Sequence, residues 1–236
     1  MNNDGFICRY KRSNRLQKKG GAIIAFIGID GSGKSTIVDR LYENLLSRKM
    51  NIKKEWCGFE DWFIFKPVFK FLRRFFRTPP NDMSAEERYT LMRNRLRNKF
   101  IRFAYYLFVS IDYIFQLTIK VTLPKKSGLI ILCDRYFIDQ AITFSVEMEA
   151  PSLFSFFLII FSFFLPKPTL AYVVFVSPKT SLNRKSDIPS IEYIEKRLRV
   201  YERIVSIYNY KSLNGELDIN FNINKIIRDI ENSDLL

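Results

Sequence analysis

Short, nearly uninterrupted apolar runs recur along the chain, each bounded by polar or turn-forming residues. The clearest runs are AIIAFI (22–27), LIILC (129–133) and TLAYVVFV (169–176), and a weaker pattern of the same kind occurs at 51–56 and 217–221. Apolar runs of this length are typical of buried strands. We therefore predict a strand at each of these positions.

The segments between these runs have helical periodicity. Apolar residues after residue 34 recur at the spacing of one face of a helix. Further helices are predicted over 84–122 in two segments, over 136–148, after 177, after 190 and over 224–232, with a turn at 124–128. Strands that alternate with helices favour a parallel α/β sheet.

Several predicted helix starts carry capping signals. Ser84 and Glu87 fit a capping box, and Ser177 precedes a proline at the first helical position. Ser190 opens a long helix. Its predicted buried face consists of Ile191, Ile194, Leu198, Tyr201, Val205 and Tyr208.

Two aromatic-rich segments admit more than one interpretation. Residues 63–77 (FIFKPVFKFLRRFFR) form either a surface helix packed on the core or a basic amphipathic helix that lies on a membrane or covers a cleft. Residues 153–165 (LFSFFLIIFSFFL) make about 20 Å of helix, which is too short for about 30 Å of hydrocarbon. We interpret this second segment as a buried helix, with a membrane-dipping helix as the alternative.

The chain divides into a flexible basic N-terminal arm, residues 1–20, and one domain, residues 21–236. The arm lacks the apolar segment of a signal peptide, and we interpret it as a solvated tail, with an arm that binds nucleic acid or a membrane as the alternative. The formal net charge is +14. A charge of this size is compatible with polyphosphates, nucleic acid or an anionic membrane surface as partners.

The chain contains no histidine and three cysteines, Cys8, Cys57 and Cys133. The absence of histidine excludes histidine-based acid–base catalysis, Ser-His-Asp triads and most zinc sites. An odd number of widely spaced cysteines gives no disulfide framework and fits a reducing cytosol. Phosphoryl transfer survives this elimination, because it depends on positioning, cations and a metal ion.

The strongest motif follows the first predicted strand and reads Gly28-Ile29-Asp30-Gly31-Ser32-Gly33-Lys34-Ser35. We call residues 28–33 the glycine loop. The spacing matches a P-loop, in which successive backbone N–H groups surround the phosphates of a nucleotide. In this interpretation Lys34 reaches the β- and γ-phosphates, Ser35 binds Mg²⁺, and the following helix directs its positive dipole end at the phosphates. Thr36 completes the residues predicted to bind ATP.

Charged residues follow two later elements. Asp134 ends a buried strand, and we predict that it lies near Mg²⁺, the alternative being a helix cap. Arg135 beside it suits a transferring phosphate. Arg184 and Lys185 lie in the polar stretch 183–189. A loop there could close over ATP and bring positive charge to the reaction, the alternative being solvated charges.

Together, FIGIDGSGKST (26–36), DRY (134–136), LPKP (165–168) and the helix around 192–201 resemble the thymidylate kinase family of nucleoside-monophosphate kinases. The resemblance implies a three-layer P-loop fold with a five-stranded parallel sheet and a small lid near Arg184. It implies transfer of the γ-phosphoryl group from MgATP to a nucleoside monophosphate. It also implies that Asp30 lies between donor and acceptor, that Arg135 faces the phosphates, and that the protein forms a homodimer.

The half of the chain that would bind the acceptor departs from the family pattern. Residues 56–60 (WCGFE) stand where Arg-Glu-Pro-Gly-Gly-Thr is usual, and Asp112-Tyr113 stands where the central helix usually carries Asp-Arg. After DRY, residues 137–139 (FID) and 143–144 (TF) replace the usual Ser and Tyr-Gln pair. In the family that helical arginine holds the acceptor phosphate. The chain is therefore more similar to divergent thymidylate kinase-like proteins, some of which accompany polysaccharide biosynthesis.

Three functions are compatible with these residues. The first is an ATP- and Mg²⁺-dependent kinase whose small-molecule acceptor is a nucleoside monophosphate, dTMP before others. The second is a kinase of the same fold that acts on a sugar or a lipid-linked glycan. The third is a non-catalytic, nucleotide-dependent protein that binds a membrane or nucleic acid. We expect a cytoplasmic protein, with peripheral contact to an anionic membrane as an option, and a nucleic-acid partner is not the favoured one.

Overall fold

The apolar runs of the sequence form one parallel sheet in the computed structural model, which describes residues 21–59, 63–67, 85–147, 151–185, 188 and 190–233. The strands are β1 Ala22–Ile27, β2 Ile52–Trp56, β3 Ile130–Asp134, β4 Leu170–Phe175 and β5 Lys211–Asn214. They lie in the order β2-β3-β1-β4-β5, and every neighbouring pair is parallel. The prediction of an α/β fold with a five-stranded parallel sheet is confirmed.

Helices connect the strands and flank the sheet. Their bounds are α1 Lys34–Ser47, α2 Ala85–Arg95, α3 Lys99–Leu117, α4 Leu123–Lys126, α5 Phe137–Glu147, α6 Pro151–Phe164, α7 Pro178–Arg184, α8 Ile191–Tyr208 and α9 Ile219–Asn232. A π-helical segment, Thr118–Thr122, joins α3 to α4. The predicted caps of α7 and α8 are present, because the side chains of Ser177 and Ser190 accept hydrogen bonds from the first turn of each helix.

The alternation of side chains along the strands builds two cores. In β1, Ile23, Ala25 and Ile27 pack into a core with residues of α3, α5, α6 and α8. The intervening residues of β1 pack on the other face of the sheet with residues of α1 and α9. Because successive side chains of a strand point to opposite faces, one apolar run supplies both cores. The result is a sheet between two helical layers.

Helix α6 is buried on one face only, which corrects the prediction of a buried helix at 153–165. Phe157 and Phe161 are inaccessible, whereas Phe163 is 81% exposed and Ile159 is 71% exposed. The ring of Phe161 lies 5.0 Å from that of Tyr113 on α3. The almost wholly apolar composition of the segment conceals this division, because the pattern contains no charged residue to mark the outer face.

The last predicted strand, 217–221, is wrong. The fifth strand is Lys211–Asn214, and Ile219 already lies in α9. The side chain of Asp218 caps this helix by accepting a hydrogen bond from the Asn220 N–H (2.8 Å). β5 is an edge strand with one buried side chain, Leu213, so its sequence carries almost no strand signal. The predicted turn at 124–128 is also displaced, because α4 continues to residue 126.

The buried face of α8 differs from the predicted one. Ile194, Arg197, Tyr201 and Ile204 are buried, whereas Ile191 and Tyr208 are exposed. The prediction followed apolar residues alone. The helix is rotated relative to that prediction because a charged residue, Arg197, points into the protein.

Several sequence predictions lie outside the described residues. These are the arm over 1–20, most of the segment 63–77 and Ser84 of the capping box. The division into an arm and one domain therefore stays a prediction. Residues 63–65 form a bend whose backbone N–H groups donate to the buried carboxylate of Asp112 on α3, at 2.6–3.2 Å.

One helical run in the described part of the chain is long and apolar enough to cross a membrane by length and composition. It extends from Lys99 to Lys126, and its most apolar 18-residue window has a mean hydropathy of 1.3 and is 44% buried in the protein. A core helix of a water-soluble protein has the same properties. The described structure is compatible with a water-soluble protein.

Phe161 and Phe163 provide a matched test of this core. Phe161→Ala removes an inaccessible ring and is expected to lower the free energy of unfolding by about 3–5 kcal/mol. Phe163→Ala removes an exposed ring two residues away and is expected to change it by less than about 0.5 kcal/mol. Urea denaturation followed by circular dichroism measures both. Equal effects of the two substitutions would contradict the described packing of α6.

Candidate active site

The connections from two neighbouring strands, β1 and β3, diverge at their carboxyl ends, and we call this point the crevice. β1 leads into α1 on one face of the sheet, and β3 leads into α5 on the other. In parallel sheets, ligands bind at such points, beyond the carboxyl ends of the strands. The glycine loop follows β1, and Asp134 ends β3 level with Phe26 of β1. The two strongest sequence motifs therefore meet at this crevice.

The glycine loop is shaped by the backbone behind it. Gly28 has a φ of +145°, and a Cβ there would lie 2.5 Å from the carbonyl oxygen of Val174 in β4. Gly31 has a φ of +74°, and a Cβ there would lie 2.8 Å from the carbonyl oxygen of Ser181 in α7. Both positions therefore require glycine. No side chain of the described residues caps the N-terminus of α1 at Gly33, so the first N–H groups of this helix can serve a ligand.

Lys34 lies folded beneath the loop. Its Nζ donates to the carbonyl oxygen of Ile29 (2.5 Å) and to Ser32 Oγ (3.1 Å), and only 5% of the residue is exposed. Burial, together with the charge of Arg135, lowers the pKa of Lys34 to about 8. The amine is thus held at the loop by neutral oxygens.

Ser35 and Asp134 are brought together across the crevice. The hydroxyl of Ser35 donates to Asp134 Oδ2 at 2.5 Å. These are the two residues that the sequence predicts as metal ligands, and the register of β1 and β3 is what places them side by side. The pair offers a hydroxyl and a carboxylate oxygen at one point, which is the kind of ligand that Mg²⁺ prefers.

Arg135 joins the loop to α5 through two carboxylates. Its Nη2 donates to Asp30 and its Nη1 donates to Asp139. Burial alone would raise the pKa of Asp30, but the surrounding cationic groups, Arg135 first, outweigh burial and lower it to about 2. The same balance lowers the pKa of Asp139. Arg135 also has a φ of +69°, a left-handed conformation that is uncommon outside glycine.

Arg197 and Tyr201 of α8 complete this charged cluster. Nη1 of Arg197 lies 3.6 Å from Asp30 Oδ2, and Nη2 lies 3.8 Å from Asp139 Oδ1. The hydroxyl of Tyr201 donates to Asp139, and its oxygen lies 3.2 Å from the carbonyl oxygen of Gly28. Arg197 is only 2% exposed, which is rare for an arginine and requires paired charges nearby.

Sequence reasoning did not assign a role at the site to Asp139, Arg197 or Tyr201. One signal was available for Arg197, since it falls three residues after Ile194 and four before Tyr201, on one face of a helix. Asp139 follows Arg135 by four residues at the start of α5, and that spacing also suits an ion pair. Neither signal indicates which charged residues of a basic chain are buried.

Arg184 contacts the glycine loop from α7. It is the last residue of α7 rather than part of an extended polar loop, which corrects the predicted stretch 183–189. Its Nη1 donates to the carbonyl oxygens of Gly31 (3.3 Å) and Gly215 (3.1 Å). The lid function of this region stays a prediction.

A cavity of about 360 Å³ adjoins Gly215. It lies at the carboxyl ends of β4 and β5 and is lined by Phe175, Val176, Ser177, Ser212, Leu213, Asn214 and Glu216. The hydroxyl of Thr180 and the N–H of Ser177 donate to Glu216 Oε1, at 2.6 and 2.9 Å. These hydrogen bonds lower the pKa of Glu216 to about 2, and the one from Thr180 contributes most.

Two predicted site residues remain, Ile29 and Thr36. Ile29 is buried in the core and contributes its carbonyl oxygen to Lys34. Thr36 is exposed on the first turn of α1. The position at which the resemblance expects an arginine is occupied by Tyr113, which is buried and donates its hydroxyl to the carbonyl oxygen of Cys57 (2.6 Å).

No protein-family model matches this chain, and no curated protein sequence matches it. The resemblance to thymidylate kinases therefore rests on the short motifs of the sequence. Any function must be inferred from the residues of the site.

Asp30→Asn tests the charge balance of the cluster. The pKa of Asp30 is lowered from 3.8 to about 2, so its ionised form should stabilise the protein at pH 7 by roughly 2 kcal/mol. Because the pKa is lowered on folding, this contribution is present above about pH 4 and is lost as the pH falls towards 2. We expect the variant to unfold at lower urea concentration at pH 7, with the difference shrinking in acid.

Asp39→Asn is the matched control, because Asp39 forms an exposed pair with Lys54. It should cause a much smaller loss, as surface ion pairs do. A difference between wild type and Asp30→Asn that is constant from pH 7 to acid would contradict the described cluster.

Proposed function

We propose that this chain is an ATP- and Mg²⁺-dependent phosphotransferase of the nucleoside-monophosphate kinase kind, acting in the cytoplasm, with dTMP as the first candidate acceptor. The observation that carries the proposal is the convergence of Lys34, the Ser35–Asp134 pair and Arg135 on one crevice beside the glycine loop. Each is a group that phosphoryl transfer uses, and they come from separate elements of the chain.

The loop and α1 suit the phosphates of ATP. Side chains are excluded at Gly28 and Gly31 by backbone behind the loop, so the loop packs closely there, and the start of α1 presents its positive dipole end. The amine of Lys34 is bonded to neutral oxygens. A phosphate oxygen makes a stronger, charge-assisted hydrogen bond and would replace them.

Ser35 and Asp134 would hold Mg²⁺. Among the described residues no cluster of three or more His, Cys, Asp or Glu could hold a metal ion. This arrangement suits Mg²⁺, which is commonly held by one or two side chains together with substrate phosphates. When bound, the ion would neutralise charge on the phosphate oxygens.

The charged cluster would serve the transferring group. The guanidinium of Arg135 bridges Asp30 and Asp139, and its further N–H groups would donate to a phosphate oxygen while both carboxylates stay bonded. In the transfer, the bond from the γ-phosphorus to the bridging oxygen breaks, a bond forms to an acceptor oxygen, and ADP leaves. The phosphate oxygen of a nucleoside monophosphate is already negatively charged, so this step needs no general base.

The pKa of Asp30 supports such an acceptor. Its value of about 2 makes the carboxylate a weak base near neutral pH. A sugar hydroxyl would have to lose a proton during transfer, whereas a phosphate oxygen would not. The described site therefore favours an acceptor that arrives with a phosphate group.

Arg184 and the cavity beside Gly215 would receive the rest of the ATP molecule. The guanidinium donates to Gly31 of the glycine loop and to Gly215, whose neighbours Asn214 and Glu216 line the cavity. A planar guanidinium can stack on an aromatic base. We therefore place the adenine next to Arg184 and the walls formed by Val176 and Asn214.

A second acceptor class is favoured by Tyr113. Its side chain lies in the core where the resemblance expects an arginine for the acceptor phosphate. The buried cation near Asp30 comes instead from α8, as Arg197. This substitution supports a kinase of the same fold whose acceptor is a phosphate-bearing sugar or a lipid-linked glycan.

Lys34→Ala is the central test of the proposal. We expect purified wild-type protein to release ADP from MgATP in the presence of its acceptor, and the variant to have kcat lowered about 10²–10³-fold. The control is Lys54→Ala, which removes an exposed lysine of β2 and should leave kcat unchanged. A wild-type protein that binds MgATP without turnover on any acceptor would refute catalysis and leave a nucleotide-dependent binding protein.

An acceptor screen separates the two acceptor classes. Nucleoside monophosphates, sugar phosphates, unphosphorylated sugars and lipid-linked glycans are offered with MgATP, and products are identified by mass spectrometry. We expect a product that carries a diphosphate, because the site needs no base for a phosphate acceptor. Efficient turnover of dTMP would exclude the second acceptor class. Phosphorylation of an unphosphorylated hydroxyl would contradict the inference drawn from Asp30.

A further inference from the structure

An apolar stripe runs along the solvent side of α3 and continues to α4. Its residues recur at helical spacing, and each is at least 39% exposed. We call this surface the outer stripe. It consists of Phe100, Phe103, Leu107, Phe108, Ile111, Phe115, Ile119 and Leu123. The helical run that carries it has 28 residues, which is about 40 Å at 1.5 Å per residue. Apolar surface of this extent is uncommon on a monomer in water.

The bend at residues 63–65 extends the same surface. The ring of Phe63 lies 5.8 Å from that of Phe115, and the ring of Phe65 lies 4.9 Å from that of Phe108. Phe63 is itself 59% exposed. The bend is fixed in place by its hydrogen bonds to Asp112. The outer stripe is therefore widened by a second segment of chain that is anchored to the helix.

Basic residues stand at both ends of the outer stripe. Arg97, Lys99 and Arg102 are at its start, and Lys120, Lys125 and Lys126 are at its end. Between residues 97 and 126 the single acidic residue is Asp112, which is fully buried. An apolar face with basic residues at its ends is the pattern of a helix that lies in the interface of a bilayer containing anionic lipid.

The inner face of α3 shows that this helix cannot cross a bilayer. Tyr106, Tyr113 and Leu117 are buried in the core of the domain, and Asp112 and Gln116 are buried beside them. These residues hold the helix against α6 and the sheet. One side of the helix therefore belongs to the domain, and only the outer stripe is available to lipid.

The charges also argue against a second copy of this chain as the occupant. In a two-fold symmetric dimer the same patch faces itself. The basic ends of one outer stripe would then approach basic residues of the other, and no exposed acidic residue between 97 and 126 could pair with them. Like charges across an interface disfavour association. An anionic lipid surface provides the complementary charge.

We propose that the outer stripe docks this protein on the surface of a bilayer containing anionic lipid. The phenylalanine, isoleucine and leucine side chains enter the boundary between headgroups and acyl chains. The lysine and arginine residues at the ends bind anionic headgroups, and each strengthens partitioning about fivefold. This inference is independent of the proposed phosphotransferase activity, because it concerns another face of α3 and is tested by binding.

The test is co-sedimentation of the full chain with vesicles. One set is phosphatidylcholine with about 30% phosphatidylserine, and the other is phosphatidylcholine alone. We expect the protein to sediment with the anionic set and to bind the neutral set at least tenfold more weakly. Phe100→Ser/Phe103→Ser and Lys99→Glu/Arg102→Glu should each weaken binding to the anionic set at least tenfold.

Matched control variants make the same chemical changes on other helices. Ile207→Ser/Phe221→Ser removes two exposed apolar residues of α8 and α9, and Arg199→Glu/Arg203→Glu reverses two exposed charges of α8. Both should retain at least half of the binding. Equal loss in test and control variants, or no binding by wild type, would overturn the proposal. A third outcome would also overturn it: wild type does not bind vesicles, and analytical ultracentrifugation shows a dimer that Phe100→Ser/Phe103→Ser dissociates. That result would assign the outer stripe to a second copy of the chain.

A fluorescence experiment tests the same proposal with variants that should keep the fold. Phe103→Trp keeps an aromatic ring on the outer stripe, and Phe221→Trp places one on α9 as the control. Vesicles that contain brominated lipid quench tryptophan fluorescence. We expect them to quench Phe103→Trp more than wild type, and Phe221→Trp no more than wild type. Equal quenching of the two variants would contradict docking through the outer stripe.

Discussion

A buried balance of charge at the carboxyl ends of β1 and β3 is the constraint on which the rest of the site depends. Asp139 and Arg197 are almost inaccessible to solvent, and removing one partner of a buried charge pair costs about 3–5 kcal/mol. Asp139 belongs to α5, Arg197 to α8 and Asp30 to the glycine loop. These elements cannot shift relative to one another without leaving a charge unpaired. Arg135 bonds to both carboxylates, and its left-handed backbone conformation is one that persists where surrounding contacts fix it.

The same balance separates two kinds of cation at the crevice. Arg135 and Arg197 are matched by two carboxylates, whereas Lys34 is bonded to neutral oxygens. Under the proposed function, Lys34 would therefore meet the phosphates of ATP directly, and Arg135 would reach them while it stays bonded to both carboxylates. The acceptor side is built differently, with Tyr113 in the core and Arg197 contributed by a later helix. The donor half of the proposed reaction thus has more support in the described residues than the acceptor half.

The sheet and the location of the site can be predicted from the sequence more completely than the residues that make up the site. Runs such as 22–27 and 129–133 are buried on both faces, so an apolar pattern identifies them, and the carboxyl ends of parallel strands then place Asp134 near the glycine loop. The edge strand Lys211–Asn214 has one buried side chain and leaves no such pattern. The burial of Arg197 was not predicted for a different reason. The buried face of a helix is predicted from the spacing of its apolar residues, and arginine is not one of them. Whether a charged side chain is buried depends on partners from other parts of the chain, and one element of sequence does not contain them.

The glycine loop touches three other segments of backbone from behind. Val174 lies against Gly28, Ser181 against Gly31, and Gly215 against Ser32. A ligand therefore meets a loop whose conformational entropy was already lost during folding, and this pre-organisation leaves more of the interaction free energy for affinity. The reverse also holds. A substitution at Val174, Ser181 or Gly215 would loosen the loop without altering any residue in it. Variants that weaken ligand binding should therefore be sought outside the glycine loop as well as within it.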